Sequence, residues 1–147
     1  MKMRYLVAAF AVGIAVLILT GKGKQGPRVP PGGGKISWLT DFPPALAKAK
    51  ETGRPIMIDF YADWCGPCKM LDAQTYSDNR VAAASTNLVM VRIDVDRNQP
   101  LASRFRVESI PTIVVLNSEG TEMKRESGFM GVRPMLTMME RATAKEN

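Results

Sequence analysis

The sequence predicts an α/β domain of three layers: a central mixed sheet with helices on both faces. Three observations carry that prediction. Short apolar runs alternate with segments of helical spacing, which implies strands joined by crossover helices. Two of those runs, Pro55–Ala62 and Leu88–Val95, are almost continuously apolar, as strands covered on both faces are. Near the end, Asn117-Ser-Glu-Gly120 is a turn between two extended runs, which adds an antiparallel edge to the sheet.

Taken in order, the first helix is predicted from Phe42 to Glu51, with Thr40 or Asp41 as its cap, Pro43-Pro44 in its first turn and Gly53 at its end. The strand Pro55–Ala62 follows. A helix begins at Gly66 and runs past Gln74, and a second short one covers Asn79–Ser85. Leu88–Val95 is the next strand, ending in an acidic turn, and Leu101 to Phe105 a short helix. Thr112–Leu116 and Thr121–Glu126 form the hairpin. In the last helix, opened by Arg133-Pro134, residues Met135, Met138, Met139 and Ala142 mark one face. The eight methionines beyond the leader, at helical or strand spacing, read as core filling rather than as metal ligands.

The 147 residues suffice for one domain of ordinary size. The net charge of +6, from 20 basic and 14 acidic residues, would suit a nucleic-acid binder if it were spread over the fold. It is not. Lys2, Arg4, Lys22, Lys24, Arg28 and Lys35 are the six basic residues of positions 1–35, which hold no acid, so the remaining 112 residues carry 14 of each sign. The domain is neutral, no basic groove for phosphates is supported, and neither nucleic acid nor a second copy is an expected partner.

Residues 1–20 open with a basic head and continue as Tyr5–Thr20, an uncharged and largely apolar run of 16. That length is long for the core of a signal peptide and slightly short of a full bilayer span. No cleavage site of the A-x-A kind follows it. We read residues 1–20 as an uncleaved signal-anchor helix, with a cleaved signal peptide as the alternative. Residues 21–35 hold nine Gly or Pro in 15 positions and read as a tether reaching on the order of 20 Å. Residues 36–147 form the domain. The head is expected in the cytoplasm of a bacterium and the domain on the periplasmic or outer side.

There is no histidine, which excludes Ser-His-Asp and Cys-His catalysis. Two cysteines are too few for a four-cysteine zinc site or an iron–sulfur cluster within one chain. They stand at Cys65 and Cys68, where a strand hands over to a helix. At a helix N-terminus, unpaired N–H groups and the macrodipole favour an anion, so a Cys65 thiolate is stabilised there. A thiol pKa can drop from about 8.5 to roughly 3.5–7.5 in such a place. Cys68, three residues on, lies on the same side of the helix and is expected to be the more buried. Pro67 suits the first turn because its missing N–H would be unpaired anyway. The pattern most directly suggests a redox dithiol; half of a zinc site shared by two chains and an inert buried pair remain the other readings.

Asp59-Phe-Tyr-Ala-Asp-Trp-Cys-Gly-Pro-Cys-Lys69 and Phe105-Arg-Val-Glu-Ser-Ile-Pro-Thr112 resemble the two signature segments of thioredoxins. The resemblance covers roughly Lys35–Ala142. Tyr61-Ala-Asp-Trp-Cys65, Thr75-Tyr-Ser-Asp78 followed by Val81, and Gly128-Phe-Met130 are most similar to exported members such as the C-terminal domain of the transmembrane disulfide reductase DsbD. Gly66-Pro67 departs from that subgroup and matches thioredoxins at large. The resemblance implies a thioredoxin-like sandwich and a thiol–disulfide oxidoreductase. Cys65 would attack, Cys68 would resolve, and Asp59 would be the buried acid that accepts the Cys68 proton. Pro111 would be a cis-proline facing the dithiol, with neighbouring backbone pairing to substrate main chain. Trp64 would shield the dithiol and contact substrate, and Lys69 would either favour the thiolate electrostatically or stand as a solvated helix residue. Arg92 stands where a lysine is frequent. Gly66, Pro67 and Ile110 look reductase-like. The expected partners are disulfide-bonded proteins and an upstream dithiol donor such as a transmembrane reductase, with the Cys65–Cys68 pair as the redox group and no metal or organic cofactor. An oxidase or isomerase, or a tethered module that binds without turnover, are the alternatives.

Overall fold

The computed structural model describes residues 35–144. The signal-anchor run, most of the tether and the last three residues of the expected domain lie outside the described residues. Along the chain the elements are α1 (Phe42–Thr52), β1 (Ile56–Tyr61), α2 (Gly66–Leu71) running into a π-helical turn (Asp72–Tyr76), α3 (Asn79–Ser85), β2 (Val89–Asp94), α4 (Gln99–Arg104), β3 (Thr112–Leu116), β4 (Glu122–Ser127) and α5 (Val132–Thr143).

The sheet order is β2-β1-β3-β4. β1 and β2 are parallel, as the crossover between them requires, while β3 is antiparallel to β1 as well as to β4. The antiparallel part therefore begins at the centre of the sheet, not at its edge. The hairpin turn was visible in the sequence; the side of β1 on which β3 inserts was not.

Alternation along each strand divides the core in two. Ile56, Ile58 and Phe60 of β1, with Val89, Val91 and Ile93 of β2, face one side under Phe42, Ala45 and Ala49 of α1 and Phe105 beyond α4. Met57 and Met90 face the other side, under Leu71, Tyr76, Val81 and the α5 residues Met135, Met138 and Met139. Six of the eight domain methionines are buried, as core filling requires, but Met70 and Met123 are exposed. Neither belongs to an inward stripe. Met70 sits on the outer side of α2 and Met123 on the edge strand β4.

Three local differences have physical causes. Asp41 occupies the N-cap of α1, yet its carboxylate bonds no helix N–H. A capping side chain reaches the N–H of the second or third helical residue, and here those are Pro43 and Pro44, which have none. The helix predicted past Gln74 is α-helical only to Leu71; residues Asp72–Tyr76 widen into the π turn. Thr75 is thereby turned inward, where its hydroxyl donates to the Met130 carbonyl at 2.6 Å. Finally, Leu39 forms an isolated parallel bridge to Val91, so the chain ahead of α1 covers the free edge of β2. A bridge of one residue leaves no period in the sequence to detect.

Candidate active site

β1 ends at Tyr61, and a short turn delivers Cys65 to the N-cap of α2. Cys65 and Cys68 are bridged, with their α-carbons 5.3 Å apart. The Cys68 backbone N–H donates to Cys65 Sγ at 3.2 Å. The sulfur thus occupies the place a serine or aspartate oxygen takes in an ordinary cap, and Pro67, lacking an N–H, leaves that donor to it alone in the first turn. Such an arrangement favours negative charge on Cys65 Sγ once the bridge is reduced.

Both cysteines are buried, Cys65 to 3% exposure and Cys68 to 1%, so Cys68 is the deeper by a small margin only. They pack with Ala62 against Tyr61, Val95 and Ile110. Trp64 stands beside them at 69% exposure, its indole N–H donating to Asp96 Oδ2 at 2.9 Å. Gly66, Pro67 and Lys69 are exposed on the outer face of the turn. The Ile110–Pro111 peptide is cis, and Pro111 is buried directly after the isoleucine that touches the disulfide. The turn is fixed from both ends. Gly128 N–H donates to the Pro111 carbonyl at 2.8 Å, and the Thr112 hydroxyl donates to the Ser109 carbonyl at 2.6 Å.

Asp59 alternates with Met57 on β1 and so faces the same side of the sheet as α2. It is fully buried, and neither carboxylate oxygen has a hydrogen-bond partner. Arg92, its register partner on β2, brings Nε to 3.3 Å, close enough for charge attraction but out of hydrogen-bonding alignment. The same guanidinium bonds Asp72 at 2.9 Å and lies over the Tyr61 ring at 4.1 Å. Burial pushes the Asp59 pKa up from 3.8 to about 7; Arg92 opposes the rise and the nearby charge of Asp72 adds to it. For Arg92, burial works against the charge, but the Asp72 hydrogen bond and the Asp59 charge outweigh it and keep the guanidinium protonated. Tyr76 has a buried hydroxyl without a partner, and burial and then Asp59 push its pKa well above the ordinary phenol range.

Asp72, Tyr76, Tyr61, Val95 and Asp96 thus join the site without having been expected there. Asp72 had a legible signal, because it lies four residues after Cys68, one turn further along the same helix. Asp96 and Val95 had none; they arrive through the pairing of β2 with β1.

A bridged Cys-x-x-Cys capping a helix directly after a central strand, with a buried acid on that strand, defines a class: the thiol–disulfide oxidoreductases. Comparison with known proteins makes the assignment specific. The chain belongs to the thioredoxin-like family, whose model matches residues 37–118. The thiol:disulfide interchange protein DsbD of Klebsiella pneumoniae is 38% identical over 102 residues, 65% of this chain and 17% of that protein. The chain spans less than a fifth of the length of the curated relatives it matches. Among solved structures, the reduced C-terminal domain of Neisseria meningitidis DsbD is similar with a TM-score of 0.60 and 27% identity, covering 67% of this chain and 90% of that one. A mutant thioredoxin from Halobacterium salinarum is similar with a TM-score of 0.61 and 28% identity, covering 79% of this chain and 99% of that one. Among the described residues no helix is long and apolar enough to cross a membrane.

Proposed function

We propose that this chain reduces disulfides of exported proteins while tethered to the cytoplasmic membrane of a bacterium by residues 1–20. The observation that carries the reading is the Cys65 sulfur held as the N-cap of α2, where the Cys68 N–H and the helix dipole favour its thiolate. The similarity to DsbD, named as a thiol:disulfide interchange protein, supports the same chemistry.

In the reduced protein the Cys65 thiolate attacks one sulfur of a substrate disulfide. The Cys65–substrate bond forms as the substrate S–S bond breaks, and the other substrate sulfur leaves as a thiolate. Asp59, with a pKa near neutrality, takes the Cys68 proton, directly or through water. The Cys68 thiolate then attacks Cys65 Sγ, expelling the second substrate thiolate and closing the Cys65–Cys68 bridge. Two electrons have passed to the substrate, and a dithiol donor returns them by the reverse exchange. The disulfide is itself the redox group, so the cycle calls for no metal or organic cofactor. Trp64, Gly66, Pro67 and Ile110 form the rim that meets the substrate, and the backbone beside the buried Pro111 pairs with its main chain.

The test is the full chain with Cys68→Ser, expressed in a bacterium and resolved by non-reducing electrophoresis. Mixed disulfides between Cys65 and exported proteins support the reading; their absence, with the protein folded, overturns it. A redox titration of the dithiol fixes direction. A potential well above about −200 mV would turn the assignment towards an oxidase or isomerase.

A further inference from the structure

We infer that Arg125, on β4 and outside the dithiol site, is a positioning residue that sets the path of the Ile110–Pro111 turn by capping the C-terminus of α4. The inference rests on the proposed reduction of protein disulfides.

The observation begins at Arg106. It is the one non-glycine residue with positive φ, at 49°, among the described residues. Arg106 N–H donates to the Ser103 carbonyl and Val107 N–H to the Ala102 carbonyl, both at 3.0 Å. That pair of bonds is a Schellman helix end, and the residue at its left-handed position is ordinarily glycine, which has no Cβ to strain. Here an arginine is held in that conformation, so something must oppose its preference to leave.

Arg125 supplies the opposing force. Its Nη2 donates to the Phe105 carbonyl at 2.8 Å and its Nη1 lies 3.4 Å from the Arg106 carbonyl. These carbonyls flank the helix end, where partial negative charge accumulates and a cation is favoured. Glu122 takes Nε and Nη2 at 2.7 Å each, so the fork is fixed from behind. From Arg106 the chain has only Val107, Glu108 and Ser109 before Ile110, which packs on the Cys65–Cys68 bridge. A helix end that unwinds at Arg106 moves Ile110 relative to the disulfide, because so short a connection cannot absorb the change. The far side of the same turn is already anchored to β4, through the Thr112 and Ser127 hydroxyls at 3.0 Å and Gly128 on the Pro111 carbonyl. Arg125 completes that anchorage on the near side.

The test compares Arg125→Met, Arg125→Lys and the double variant Arg125→Met with Arg106→Gly, using insulin disulfides as the protein substrate and bis(2-hydroxyethyl) disulfide as a small one. Arg125→Met should raise KM for insulin about 10-fold with kcat within about twofold, since the loop positions a polypeptide and the reacting sulfurs are untouched. Reduction of bis(2-hydroxyethyl) disulfide should stay within about twofold, because so small a disulfide does not need the loop. Adding Arg106→Gly should restore KM, because glycine adopts the left-handed turn unaided. Arg125→Lys, which keeps charge but not the fork, should fall between. An unchanged KM in Arg125→Met, or a failure of Arg106→Gly to rescue it, overturns the inference. If Arg125→Met does not fold, the lysine variant alone decides by the same measures. Absence of insulin reduction by the unsubstituted protein defeats the reduction reading instead. The capping is then judged by hydrogen exchange at Arg106 and Val107, where faster exchange in Arg125→Met supports it and unchanged exchange overturns it.

Discussion

Replacing Asp59 with asparagine should make the protein more stable and a poorer oxidoreductase, and both changes should depend on pH in the same window. The carboxyl has a pKa of about 7 in the fold against 3.8 unperturbed, raised by burial in spite of Arg92. Between those values the unfolded chain has released the proton and the folded one still holds it. The unfolded state therefore binds fewer protons, and stability falls as pH rises from about 4 to about 7, then levels. Three units at 1.36 kcal/mol each amount to roughly 4 kcal/mol at pH 8. Asparagine has the same shape and no charge to lose, so the variant should show no such fall. Urea denaturation at pH 4, 6 and 8 measures it. The two proteins should differ little at pH 4, and the variant should lead by up to about 4 kcal/mol at pH 8. In catalysis the sign reverses. On the proposed role of ionised Asp59 as the base for Cys68, resolution of a Cys65 mixed disulfide should accelerate through pH 7 in the unsubstituted protein. In the variant it should be about 100-fold slower or more, the lower bound for a lost general base. Parallel stability curves across pH would refute the reasoning about burial, and an unslowed resolution step would refute the role of the acid.

Thr75→Val should lower stability by about 1–3 kcal/mol, since it leaves the Met130 carbonyl without the buried hydroxyl that serves it; an unchanged urea midpoint would show that another donor takes over. Gly53 ends α1 at φ 66° with open space around a would-be Cβ, so Gly53→Ala should cost about 1 kcal/mol by backbone strain alone, read from the thermal midpoint. Asp78 caps α3 and pairs with Arg80, whose side-chain hydrogen bond first, then backbone bond, lowers its pKa from 3.8 to about 2. Its contribution is present above about pH 4 and lost as pH falls towards 2, so Asp78→Ala should flatten that part of the acid-unfolding curve.

The parts of this protein that could be read from its sequence are those whose cause is local. Helix starts, strand runs and the 117–120 turn follow from neighbours a few residues away, and all fall within two residues of the observed bounds. The dithiol was legible for the same reason, since Cys65, Pro67 and Cys68 occupy one turn, and their spacing together with its place between a strand and a helix points to the chemistry. What surrounds it was legible only where it continued the same element. Asp59 is on the strand that leads into the turn, whereas Arg92 and Asp96 reach the site by strand pairing over more than 25 residues, and no period in the sequence encodes that register.

Arg125 is the furthest case. In sequence it is one charge in the strand Glu-Met-Lys-Arg-Glu-Ser, and its side chain is about one-third exposed with a glutamate partner. A pair of that description ordinarily contributes little to stability. Its meaning comes from a second residue, Arg106, whose left-handed backbone is invisible in the sequence because arginine is the wrong residue for it. Glycine at 106 would have announced the helix end and made Arg125 dispensable; arginine conceals the turn and leaves it dependent on a contact from across the sheet. The geometry that presents Ile110 to the disulfide is thus set by a tertiary hydrogen bond, where a local preference would ordinarily set it, and the Arg106→Gly rescue distinguishes the two.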